Sequence, residues 1–154
     1  MNPKKLFLPD HERYEGVRPI HIWLLRAIYI LMAVFVAPYA WGVLLGHEGE
    51  LHYVRAIAFC VWASYPLLAL LGLLHPLRML PILLFAIGYK SLWMIFVAYP
   101  LWKTGTLIGS PAEEMARTFA LTPFAIAIVP WGYVFRNFVL PGRRPRVAAR
   151  EGAA

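Results

Sequence analysis

Lys90 stands in the stretch "AIGYKSLWM" (residues 86–94), inside a long apolar run that contains no acid. A cation in such a place suits one of two tasks. It can hold an anion, whether a carboxylate, a lipid phosphate or an acid on another subunit's helix, or it can tie helices together by hydrogen bonds. Charge within an apolar span is expensive, which makes an intramembrane ionisable residue a candidate ligand, proton or partner site. Positions 86 and 94, where an acid would pair with it along one helix face, hold Ala86 and Met94. The remaining acceptors are hydroxyls and backbone carbonyls. Pro66 and Pro130 would free the carbonyls of Trp62 and Ile126, four residues earlier. With Ser64, Tyr65 and Tyr89 these make a polar layer, so Lys90, Ser64, Tyr65 and Tyr89 form the candidate ligand or partner site.

Other reactive residue types are poorly placed for chemistry. His21 and His75 fall at ends of apolar runs on one side, but His75 precedes Pro76 in a tight turn, which argues against facing haem ligands. "HEGELH" (47–52) lacks the i, i+4 histidine spacing of a zinc hydrolase and reads as a solvated loop. Cys60 is the only cysteine, so neither an intramolecular disulfide nor a thiol relay is available. There is no nucleophile elbow and no glycine-rich phosphate loop. The sequence indicates no catalytic residue, no metal site and no cofactor, and an enzyme is not indicated.

The elements that must position Lys90 follow from composition. Of the 154 residues 60% are hydrophobic and 15% charged, with a mean hydropathy of +0.60, as in an integral membrane protein. Apolar runs at about 20–45, 53–74, 77–102 and 118–140 each match the roughly 20 residues that cross a hydrocarbon core. Long and continuously apolar, they read as helices, not alternating barrel strands. Short loops make sequential helices antiparallel neighbours, so the expected fold is all-α, an up-down bundle of four transmembrane helices over 20–140. Residues 1–19 form a cytoplasmic or interfacial arm and residues 141–154 a basic tail expected to be disordered. Ser110, Pro111, Glu113 and Glu114 have the order of a helix start, so the last helix is expected to begin on the outer surface.

Positive charge sets the orientation. Lys4, Lys5, Arg13, Arg18, Arg26, Arg78 and the arginines at 136, 143, 144, 146 and 150 share one side. Arg55, Lys103 and Arg117, offset by Glu48, Glu50, Glu113 and Glu114, lie on the other. Both termini are expected in the cytoplasm, with the first span a retained signal anchor. The net charge of +7 is accounted for by this asymmetry and by anionic headgroups, and no recognition motif points to nucleic acid. Arg26 is expected to snorkel to those headgroups. Ala56, Cys60 and Ser64, spaced by four, line one helix face where a neighbouring backbone could approach, a packing role. "FVAPYAW" (35–41) and "FVAYPLW" (96–102) echo each other at outer span ends.

The stretch "LLHPLRMLPILLFAIGYKSLWMIFVAYPLW" (73–102), with "VPWGYVFRNFV" (129–139), resembles a group of small bacterial membrane proteins with four helices and no assigned activity. The resemblance implies a multi-pass topology in a bacterial inner membrane and nothing about chemistry. Small four-helix drug exporters are similar in size but depend on a membrane-embedded acid that this chain lacks. The expected role is therefore a non-catalytic accessory, assembly or interaction subunit, whose partners are the lipid bilayer and a homo-oligomer or larger membrane complex. The alternative is a small binder or carrier of an anionic or lipidic ligand centred on Lys90.

Overall fold

The computed structural model describes residues 8, 14–49 and 52–140, and it is helical throughout. The expected arm up to residue 13, apart from Leu8, and the tail from 141 lie outside the described residues. We label the helices α1 (Pro19–Gly46), α2 (Tyr53–Leu74), α3 (Leu80–Lys103), α4 (Glu113–Ile128, with a turn at residues 120 and 121) and α5 (Trp131–Val139). Three of them, α1 to α3, are long and apolar enough to cross a membrane, and a fourth span exists if α4 and α5 are counted as one.

Prolines shape these helices more than any other residue type. Pro19 and Pro81 sit in the first turns of α1 and α3, where a missing N–H costs nothing. Farther along, α1 and α3 widen into single π turns at Met32–Val36 and Met94–Ala98, closed by the amides of Ala37 onto Met32 O and of Tyr99 onto Met94 O. The next residues are Pro38 and Pro100. A proline ring collides with the carbonyl four residues back in a regular helix, and the wider turn moves that carbonyl aside. The end of α5 repeats the device at Phe135–Val139, with Leu140 donating to Phe135 O ahead of Pro141. The echo between 35–41 and 96–102 thus corresponds to one shared local geometry.

α1 and α2 form an antiparallel hairpin. Near one end Ala40 packs on Phe59 and Ala63, and near the other the Tyr29 hydroxyl donates to Pro76 O at 2.9 Å. Gly72 lets the Tyr29 ring lie directly on the α2 backbone. Around Tyr29 gathers the main core, from Ile22 and Leu25 of α1, Tyr65 and Ala69 of α2, Leu80, Leu83 and Ile87 of α3, and Val129 and Val134. The half of the hairpin nearest the α1–α2 connection is held by the small Ala40, Phe59 and Ala63 cluster.

Little of the apolar surface is used internally. Only 28%, 33% and 22% of the most apolar stretches of α1, α2 and α3 is buried. Phe35, Ile57, Leu68 and Phe96 are among the large side chains left outside. A continuous apolar exterior of this kind is compatible with a membrane-embedded protein.

The expected fourth span, a helix over 118–140, needs correction. The helix begins earlier, at Glu113, and it stops at Ile128; α5 then leaves at 69°. Ser110 is not the expected cap: its Oγ accepts from the Ala112 amide at 3.2 Å in a turn before the helix, and the helix itself starts from Ala112 with no side-chain cap. The stop follows from Pro130, because the residue before a proline is pushed out of the helical region. Val129 accordingly has φ −62° and ψ 127°. The third span also starts later than residue 77, since residues 75–79 form a turn in which the Met79 amide donates to His75 O.

Candidate functional site

Lys90 lies ten positions into α3 and thirteen before its end, about 15 Å and about 20 Å along the axis. Its side chain continues the inward stripe of Leu83 and Ile87 and is half-buried. The ammonium stands 5.5 Å from the centre of the Phe119 ring on α4. No hydrogen-bond acceptor or carboxylate contacts it among the described residues. A cation over an aromatic face gains about 0.5 to 2 kcal/mol, more as water is removed.

Phe119 is the hub of an aromatic cluster. Tyr89 and Trp93 meet its ring edge-on, with centroids 5.9 and 5.3 Å away. Tyr89 and Tyr65 share a hydrogen bond between their hydroxyls at 3.1 Å, linking α3 to α2. Phe85 closes the group against both tyrosines. Two hydroxyls that bond to each other keep one spare O–H between them. Together with the ammonium this arrangement can donate to an anion.

Of the four residues read as a site, the structure brings Lys90, Tyr89 and Tyr65 into one cluster and leaves Ser64 out. Ser64 is exposed and donates back to Cys60 O at 2.7 Å. The carbonyl expected for Lys90 at Ile126 accepts instead from Trp131 Nε1 at 2.9 Å. The break at Pro130 brings the Trp131 indole back over the end of α4, so the freed carbonyl is satisfied locally. Phe119 escaped the sequence reading because no fixed spacing announces a ring donated from a distant helix. The shortage of acids around Lys90 was the available signal, since aromatic faces are the other partners of a cation.

The small-residue face is not covered by any helix among the described residues. Ala56, Cys60 and Ser64 do lie on one face of α2, with Ile57 and Leu68 beside them, but that face looks outward over an open groove of about 430 Å3. The close approach to α1 uses the other face, through Ala63, Ala69 and Gly72.

Most of the remaining polar groups have structural partners. His21 Nδ1 lies 3.0 Å from Ile128 O and covers the last turn of α4. Arg26, half-buried, places its guanidinium 5.4 Å from the Trp23 ring, and its Nε is buried without a partner, as is Thr122 Oγ1. At the start of α4, Glu113 accepts from the Gly109 amide at 2.7 Å and pairs with Arg117. The Gly109 amide, then the Arg117 charge, hold this carboxyl below the usual carboxylate range. Among the described residues no group of three or more His, Cys, Asp or Glu is placed to hold a metal ion. His47 turns to Leu44 O at 3.0 Å, and His52 stacks on Tyr53.

Comparison with protein-family models, with curated proteins and with solved structures returns no match for this chain, so what the site does must be argued from its own geometry.

Proposed function

We propose that this chain is a multi-pass protein of a bacterial inner membrane, with α1 to α3 crossing it alternately outward and inward, the segment through α4 bringing the chain back, and both termini in the cytoplasm, and that it acts by binding other helices without catalysing a reaction. What supports the reading is the outward face of α2. Small side chains turned toward lipid give a helix no packing of its own, yet they let a second helix come close. The groove over Ala56, Cys60 and Ser64 has that form, and its single cysteine makes it directly testable.

Oxidative or mercurial cross-linking through Cys60 in native membranes, followed by mass spectrometry, is expected to give either a dimer or an adduct with another membrane protein. Cys60→Leu is expected to leave the unfolding free energy of the isolated chain within about 0.5 kcal/mol of the parent, as for a surface change, while abolishing the association. A monomer with no partner by native mass spectrometry, together with a freely labelled Cys60, would remove the reading. The orientation is checked separately by fusions at Ala154 and Gly109. A reporter that works only outside the cytoplasm should be silent at Ala154 and active at Gly109.

One observation favours a second reading. Lys90 carries a charge that nothing described in this chain neutralises, which suits an anionic or lipidic ligand held beside Tyr65, Tyr89 and Phe119.

A further inference from the structure

We propose that α5 is not the second half of a span but an interfacial helix that binds anionic lipid headgroups on the cytoplasmic surface. The inference rests on the reading that α1 to α3 cross a bilayer. His21, in the first turn of α1, meets Ile128 O at the last turn of α4, so the two helices end at one level. Beyond that level the chain turns by 69°. At about 1.5 Å per residue α5 advances roughly 13 Å, of which about 5 Å continues along α4 and about 12 Å runs across it.

Contacts hold α5 in that plane. Tyr133 and Val134 are buried against the core, and Arg136 Nη2 donates to Glu15 O at 3.4 Å, in the segment that precedes α1. Much of the rest of the helix is apolar and uncovered, with Phe135, Phe138 and Val139 exposed. Charge selects the occupant. Exposed Arg78 and Arg136 stand beside Tyr133 together with one acid, Glu15, and the sequence then adds Arg143, Arg144, Arg146 and Arg150 against Glu151. An apolar face rimmed by arginines matches the boundary between acyl chains and anionic headgroups, where basic residues gain from the negative surface.

The test uses the full chain with Cys60→Ser, reconstituted in phosphatidylcholine vesicles with or without phosphatidylglycerol. Fluorescent labels are attached at Phe135→Cys, at Phe138→Cys as an independent second site, and at Leu92→Cys in the middle of α3. Lipids carrying quenchers at the headgroup or at the acyl-chain end then report depth. The expected result is several-fold stronger quenching of the 135 and 138 labels by the headgroup quencher, the reverse order at 92, and a shift of both α5 labels toward water when phosphatidylglycerol is omitted. Deep quenching at 135 and 138 would make α5 a spanning segment and overturn the proposal. So would the absence of quenching by either lipid, as for a face covered by a second copy, or insensitivity to phosphatidylglycerol. Failure of the 92 label to lie deep would instead overturn the embedded reading, and this proposal with it.

Discussion

Gly72→Ala is expected to destabilise the protein by about 1 to 3 kcal/mol, the usual cost of forcing extra volume into a packed interior. The sign is informative, because alanine ordinarily gains about 0.5 to 1 kcal/mol over glycine inside a helix. Here a Cβ would fall within the Tyr29 ring, against its Cδ2, Cε2 and Cγ atoms. That ring has little freedom to yield. Tyr29 is fully buried, and its hydroxyl is fixed to Pro76 O. The Tyr29→Leu background should relieve most of the cost, so the two changes are expected to be strongly non-additive. Unfolding in mixed detergent and dodecyl sulfate, followed by circular dichroism, measures all four corners of the cycle. If Gly72→Ala stabilised the parent, α1 and α2 would not meet at this glycine.

The second expectation reverses the usual direction for a core substitution. Lys90→Met should raise stability by about 1 to 2 kcal/mol, since a lysine at the centre of a span costs about 3 kcal/mol to place there and the Phe119 ring returns about 1. Methionine keeps an unbranched apolar chain of similar reach and needs no partner. The ammonium has no acceptor among the described residues to leave stranded, because Ser64 and the Ile126 carbonyl are engaged elsewhere. Phe119→Leu should consequently cost more with Lys90 present than with methionine in its place. The same unfolding measurement decides it: a clear loss of stability in Lys90→Met would mean that the lysine holds an acceptor the helices depend on. Any binding that uses the cation should disappear while the fold persists.

How far the sequence could be read depended on whether one helix sufficed to fix the answer. The spans at 20–45 and 53–74 coincide with α1 and α2 within a residue at each end, because length and apolarity decide where a helix can cross. Pro66 and Pro130 looked alike as mid-span prolines, yet α2 runs on through the first and the chain breaks at the second. At the second, His21 from α1 and the indole of Trp131 both reach carbonyls at the end of α4. Only one of those donors is near Pro130 in sequence. The face of Ala56, Cys60 and Ser64 was legible as a face, but spacing alone cannot say whether it looks inward, since lipid is as apolar as a packed helix interface. Lys90 was legible as a problem, and its ring partner lay on a helix whose packing no local pattern encodes.

The π turn in α1 settles a question of angular phase. Buried positions along this helix fall at Ile22, Leu25, Tyr29 and Met32, then at Ala37 and Ala40, steps of three or four residues with one step of five. In an unbroken α-helix five residues turn about 140° past a full revolution, which would carry Ala37 to the far side. The wide turn at Met32–Val36 absorbs the surplus residue and brings the stripe back into line. Pro38 therefore fixes the rotation of everything beyond it, and Ala40 faces Phe59 and Ala63 as a result.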